Sequence, residues 1–392
     1  MKTKITLAFT MMSFLLTAAP AFFFTTYQLF LAERGMSIMQ MSLINAAFML
    51  SVFILEVPTG AFADSFGRRR SIVAGCLAWG ISFFSYYFSD SLLAFILAEV
   101  VGALGCTLIS GALEAWAVDS IAFHRVDLIL EDLFHREERA KQIGAFIGSL
   151  LGAIIGTHNL AWPWLCSGTG MFLAALAAHW LIAEPYFQRH HLHFSFKPLL
   201  TTAQASWQAG RQSPAFLRIA LISAALAMSV QALNMQWTLL FHEGFQLPIW
   251  GLGLIFGAIA ITASLGARLA PLAAKKGRHE GQGLALAFFI IGIAMIVSGQ
   301  VGAMLTAITF FLLHEVGRGL FNPLKKSIIN RRIEGQNRAT MLSLESMTAH
   351  AGAFCGLIGG GWLGNYYSIS VAWAGSGIVL LALVPWLWKK GV

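Results

Sequence analysis

Charge is what this chain has least of. Only 11% of its 392 residues are Asp, Glu, Lys or Arg, and 57% are hydrophobic. A soluble domain carries about 25% charged residues, so water alone cannot be the solvent for this much apolar surface. Cysteine is scarce too. The four present, Cys76, Cys106, Cys166 and Cys355, each lie inside an apolar run and none forms a CxxC pair. That argues against a disulfide framework or a cysteine metal site. There is no GxxxxGK[ST] phosphate loop and no soluble segment of ATPase size, which argues against ATP-driven work by this chain. No nucleophile–base pair stands out either. Neither an enzyme nor a cofactor or metal site is expected.

What the chain does have is long apolar runs. A membrane span needs about 20 apolar residues, and twelve such stretches can be cut at charged, Gly or Pro breaks. They run over 5–31, 37–62, 71–88, 91–122, 142–160, 163–183, 215–240, 248–273, 282–299, 301–323, 339–364 and 369–388. The opening, MKTKITLAFTMMSFLLTAAPA, imitates a secretory leader. Its apolar run continues to Leu31, too long for a leader, so it is expected to stay as the first helix. The expected fold class is an all-α membrane protein.

The basic residues are one-sided. Lys2 and Lys4, Arg68 to Arg70, Arg136 to Lys141, Lys197 and Arg211, Lys275 to Arg278, Lys325 to Arg338, and Lys389 and Lys390 all fall on one face of an alternating twelve-span path. Arg34 falls on the other. The positive-inside rule puts both termini in the cytoplasm. The formal net charge of +8 thus marks a membrane face and its lipids, not a nucleic-acid partner. A cytoplasmic linker over 184–213 separates two six-span halves, 1–183 and 214–392. Leu199, Leu200, Ala203 and Trp207 give it one helical face, as in a helix lying on the membrane surface. His190, His191 and His193 in the same linker read as solvated. Leu128, Ile129, Leu133 and Phe134 suggest a second surface helix over 124–141.

The halves repeat weakly. ERAKQIGAFIG (138–148) enters span five and NRATMLSLESM (337–347) enters span eleven, so Arg139-Ala140 corresponds to Arg338-Ala339. The loops GRRR (67–70) and KKGR (275–278) also correspond. The stretch GAFADSFGRRRS (60–71) concentrates one acid and three arginines between two apolar runs. Gly60 and Gly67 are expected to bracket a tight turn, and Pro58 to break the helix before it. Positive-inside preference explains the arginines but not Asp64 or the spacing.

That spacing resembles the signature loop of the major facilitator superfamily, Gly-x-Leu-Ala-Asp-Arg-x-Gly-Arg-Lys/Arg. Gly60, Ala63, Asp64, Gly67, Arg68 and Arg69 match it, while Phe62 and Ser65 depart. The resemblance covers essentially the whole chain. It implies a twelve-helix fold of two repeated halves and a gating latch. In that latch Asp64 meets the start of helix eleven, near Arg338, and Arg68 pairs with Asp119 at the cytoplasmic end of span four. Gly144, Gly148, Gly152 and Gly156 in span five make a close-packing face. They resemble the glycine-rich helix five of the superfamily's drug–proton antiporters, without that motif's proline.

Ionisable groups inside spans are costly and therefore candidates for function. Here they are Glu56, Glu99, Glu114, His179, His314, Glu315, Arg318, Glu345 and His350. Glu56, Glu114, Glu315 with Arg318, and Glu345 are the candidates for proton coupling. Thr10, Ser13 and Thr17, Asn45, Gln231, Asn234 with Trp237 and Thr238, and His350 are candidates for a substrate cavity. Helix–helix hydrogen bonding is the competing use of the same groups. The reading is a monomeric secondary transporter of the cytoplasmic membrane, working by alternating access. It is expected to exchange protons for an amphipathic organic molecule moving outward. An importer or facilitator of a siderophore, nucleoside or peptide derivative is the alternative, and a non-transporting membrane sensor a further one.

Overall fold

The computed structural model describes residues 1–187, 214–276, 280–332 and 338–390, and among them there is no strand. The surface helix expected in the linker, its three histidines, and Gly277 and Arg278 lie outside the described residues. So does the side chain of Arg338. The helices are α1 (Lys2–Ala21), α2 (Tyr27–Glu33), α3 (Ile38–Phe66), α4 (Arg68–Phe88), α5 (Leu92–Ile109), α6 (Ala112–Phe123) and α7 (Leu130–Gly156). There follow α8 (Trp162–Leu181), α9 (Pro214–Leu239, continued by a π turn Leu240–Gly244), α10 (Ile249–Lys276), α11 (Glu280–Gln300), α12 (Met304–Arg332), α13 (Arg338–Tyr366) and α14 (Ile369–Lys390). With α1 joined to α2, and α5 to α6, they give the twelve spans in order. Among the described residues, ten are long and apolar enough to cross a membrane. The other two, α7 and α13, have polar entries: Glu131 to Lys141, and Arg338 to His350.

Three local expectations need correction. Pro58 does not break its helix, because α3 runs through it to Phe66. The Thr59 hydroxyl bonds the carbonyl of Leu55 at 2.8 Å, the kind of side-chain help that lets membrane helices carry proline. Gly60 therefore sits inside a helix, and Gly67 alone makes the turn, at φ +100°, a conformation costly for any other residue. The surface helix over 124–141 is not a separate element either. From Leu130 onward it is the first three turns of α7. Leu133, Glu137, Ala140, Gly144 and Gly148 form one continuous buried stripe, so the amphipathic pattern belonged to a span extended beyond the membrane.

The chain gathers into two compact units. One comprises Met1–Gly35, Ala47–Phe196 and Leu247–Phe256, the other Met36–Ala46, Lys197–Gln246 and Gly257–Val392. These differ from a cut at 184–213 by two short pieces, the starts of α3 and α10. Each unit is built alike. In the first, α1 packs on α7 and α8, and α4 on α5 and α8. In the second, α9 packs on α13 and α14, and α11 on α12 and α14. First meets fifth and sixth, and third meets fourth and sixth, in both, so the weak sequence repeat is a repeat of packing.

Each unit contains a glycine ladder at which two helices approach closely. A Cβ added to Gly144 would lie 2.8 Å from the Phe14 carbonyl oxygen. Added to Gly148 or Gly152 it would collide with the carbonyls of Ala18 and Phe22, and at Gly156 it would meet the Thr26 methyl at 2.6 Å. Residues 14, 18, 22 and 26 thus fit a matching four-residue row. The second unit has the same device. Gly352 and Gly356 of α13 press on the carbonyls of Ala224 and Met228, and Gly360 faces Ala232. Close approach of this kind supplies the dispersion energy that lipid cannot supply through a hydrophobic effect. Gly359, one residue from the ladder, has open space where its Cβ would stand. Gly356→Ala is therefore expected to destabilise the protein by about 1–3 kcal/mol. Gly359→Ala should be neutral or stabilise by roughly 0.5–1 kcal/mol. Thermal melts of the two purified variants check this, and equal melts would contradict the ladder.

Candidate functional site

The signature loop closes on a residue the sequence reading missed. Glu184, three residues past α8, accepts hydrogen bonds from the backbone N–H groups of Arg68 and Arg69, both at 2.8 Å. These are the open N–H groups at the start of α4, where a carboxylate gains from the helix dipole as well. A Cβ on Gly67 would stand 2.9 Å from the Glu184 carboxylate, so this position needs glycine for space as well as for φ. Arg68 pairs with Asp64 at 2.5 Å, not with Asp119 as the resemblance implied. With one residue between α3 and α4, Asp64 is already within reach. Asp119 lines the same pocket of about 280 Å³ together with Asp64, Arg68, Glu184 and Tyr186. Tyr186 bonds Ser120 and donates to the Trp116 carbonyl. Burial, with Glu184 and Asp119 nearby, pushes its phenol up to about 12. Arg69 adds its backbone N–H. The contact expected of Asp64 with the start of helix eleven falls on side chains outside the described residues.

The candidate proton-coupling acids have cationic partners, with one exception. Glu114 meets Lys141 at 3.3 Å, and Lys141 also meets Glu137 at 2.5 Å. Glu137 is buried and was not singled out in sequence; its (i, i+4) spacing to Lys141 was the available signal. Glu345 meets Lys325 at 2.7 Å. In α12, Glu315 meets Arg318 at 2.7 Å and the ring of His314 at 3.3 Å. Glu56 is exposed within its unit and has no ion pair among the described residues.

The candidate cavity residues divide. Arg318 donates to Asn234 at 3.2 Å, and Trp237 stacks on Phe311, which touches His314. Asn234, Trp237, Glu315 and Arg318 therefore form one cluster in the second unit, and Gln231 lies half-buried on the same helix. Thr17 instead bonds the carbonyl of Ser13, and Ser13 that of Phe9, so those hydroxyls serve their own helix. The Thr10 hydroxyl is buried without a partner among the described residues and lines a pocket of about 590 Å³ with Lys2, Asp132 and Arg136. Asn45 is half-buried, and His350 is exposed and bonds the Ser346 carbonyl at 2.7 Å. No cluster of His, Cys, Asp and Glu able to hold a metal occurs among the described residues.

Comparison with known proteins decides the family. The model of the Major Facilitator Superfamily matches residues 5–313. The chain belongs to the Major Facilitator Superfamily. It is 30% identical over 141 residues to the MFS-type transporter YxaM of Bacillus subtilis, a match covering 35% of this chain and about a third (33%) of that relative. It is 24% identical over 322 residues to the multidrug resistance protein MdtH of Aeromonas salmonicida, covering 80% and 75% of the two chains. In fold it is similar to the nucleoside transporter NupG, with a TM-score of 0.82, 13% identity, and 98% and 100% of the chains covered. This superfamily member is a multi-pass membrane protein whose family carries small-molecule substrates.

The Glu315–Arg318 pair has a buried acid and a guanidinium about one-third exposed, with side-chain exposures of 7% and 32%. Removing one member strands the other charge, typically at a cost of about 3–5 kcal/mol, whereas removing both can be near neutral. Arg318→Gln is therefore expected to lower the melting temperature and yield more than Glu315→Gln, because Glu315 is the more buried partner. The double Gln variant should recover most of the loss. Additive losses would show that the pair is not coupled.

Proposed function

We propose that this superfamily member is a secondary transporter working by alternating access in the cytoplasmic membrane, with both termini in the cytoplasm. It exchanges protons for an amphipathic organic molecule moving outward. One observation carries this reading. The chain keeps several ionisable groups at membrane depth and compensates them in compact clusters, above all His314–Glu315–Arg318–Asn234 beside Trp237. A purely structural bundle has no need of such costly groups. A partly exposed guanidinium next to aromatic rings suits an organic molecule with a hydrogen-bond acceptor or anionic group. Likeness to MdtH, named for multidrug resistance, supports outward movement of a broad substrate class. The resemblance in fold to a nucleoside transporter makes nucleoside-like molecules the first alternative to include.

In this reading the loop of Asp64, Gly67, Arg68 and Arg69, with Asp119, is the latch that favours one state of the cycle. Glu184 fixes the start of α4 so that Arg68 is aimed at its acids. Two conformers separated by a few kcal/mol shift visibly when one such contact is lost. Purified protein in liposomes, given an imposed pH gradient and a panel of fluorescent organic dyes and labelled nucleosides, should move at least one compound faster with the gradient than without. Asp64→Asn and Arg68→Ala should slow that movement while leaving the folded yield intact. Movement of a panel compound at equal rates with and without the gradient would overturn proton coupling. No movement of any panel compound would overturn the proposed substrate class.

A further inference from the structure

A third polar cluster remains, in the outer part of the first unit, and no transport candidate above uses it. Glu99 sits seven residues into α5, about 10 Å along the helix from Leu92. Tyr27 of α2 donates its phenol to the Glu99 Oε1 at 3.0 Å, and Tyr86 of α4 donates to the same oxygen at 2.5 Å. The two phenol oxygens are 3.4 Å apart. Trp164 of α8 stacks on Tyr86 with ring centroids 4.0 Å apart and on Phe23 at 4.3 Å. Phe95 closes on Tyr86 at 5.1 Å. Tyr27, Tyr86, Phe95 and Trp164 are all buried.

We infer that Glu99, held by Tyr27 and Tyr86 in this ring of aromatic side chains, is a site that takes up and releases a proton. The inference deepens the proton-coupled reading above, on which it rests for the proton's use though not for its binding.

Charge balance points to this acid. Glu114, Glu315 and Glu345 each have a Lys or Arg partner within ion-pair distance. Glu99 has no cationic partner among the described residues. The titratable groups that face it are Tyr27 and Tyr86, and α8 contributes only Trp164. At the outer end of the same elements Arg34 pairs with Asp90 and donates to the Ser89 and Tyr87 carbonyls. Both of those charges are committed to each other. A carboxylate in apolar surroundings without a cation carries a desolvation cost that two phenol hydrogen bonds offset only in part. A proton removes the charge altogether. The step is simple addition: the carboxylate takes a proton from water on one oxygen, while the other goes on accepting from the phenols.

Trp164 is stacked against Tyr86 and Phe23, and among the described residues no metal-holding cluster includes Glu99. Access favours exchange over a sealed structural acid. Glu99 is half-buried rather than enclosed. It points to the opposite side of α5 from the exposed Leu93, Leu97 and Leu104, at about 100° per residue.

Infrared difference spectra of the full-length protein in lipid nanodiscs, between acid and alkaline buffer, test this directly. Wild type should show a protonated-carboxyl band that disappears in Glu99→Gln. Tyr86→Phe and Tyr27→Phe should keep the band and shift its frequency, because each removes a donor to the same oxygen. If Glu99→Gln does not fold, the frequency shifts in the two Phe variants carry the test. A carboxyl spectrum identical in wild type and Glu99→Gln would overturn the site, as would unmoved bands in both Phe variants. No transported substrate is needed. A Glu99 band in a protein whose transport ignores the pH gradient would therefore overturn the coupling reading and leave the site standing.

Discussion

The constraint on which the rest of this structure depends is the cost of an unpaired charge in an apolar medium. With so few charged residues, the chain places nearly every one where water, lipid headgroups or an opposite charge can meet it. Three of the acids inside the spans meet cations on the same or a neighbouring helix: Lys141 for Glu114, Arg318 for Glu315, Lys325 for Glu345. Each pair ties two helices or two turns of one helix. Each also stores an electrostatic interaction that a proton, a substrate group or a change of packing can alter.

Helix contact obeys a second constraint, since lipid offers no hydrophobic drive for helices to associate. The two glycine ladders meet it by bringing backbone against backbone, α7 on α1 and α13 on α9. They also explain why the two units share a packing scheme although their sequences have drifted apart. A ladder needs only small residues at four-residue spacing, so most of the helix surface is free to change. The repeat survives in the spacing of glycine more than in any aligned motif.

Much of this was legible in the sequence for physical reasons. Span length follows from bilayer thickness. The helices matched the twelve apolar runs, and the signature loop led to the family. The span-five ladder could be read because its four glycines are regular and close in sequence. The failures share a different cause. Glu184 caps α4 from 116 residues away, and Tyr27 reaches Glu99 across 72. No local periodicity encodes such pairings. Arg68 meets Asp64 because the turn after α3 is a single residue, which brings Asp64 close in chain and space, while Asp119 lines the same pocket. The surface helix over 124–141 was a true amphipathic pattern assigned to the wrong element, since periodicity does not say whether a helix continues into the membrane.

If the proposed alternating access holds, the polar face of α9 and α12 that carries Asn234 and Arg318 opens in turn to each side of the membrane. Gln231 lies one turn before Asn234 on that face of α9. The direct measurement uses a chain with its four cysteines replaced and Gln231→Cys introduced, in sealed vesicles of known orientation. A membrane-impermeant maleimide is applied from one side and, in a parallel sample, from the other. Alternating access predicts labelling from both sides, with substrate or pH shifting the ratio. Labelling from one side only, under every condition of substrate and pH, would contradict it.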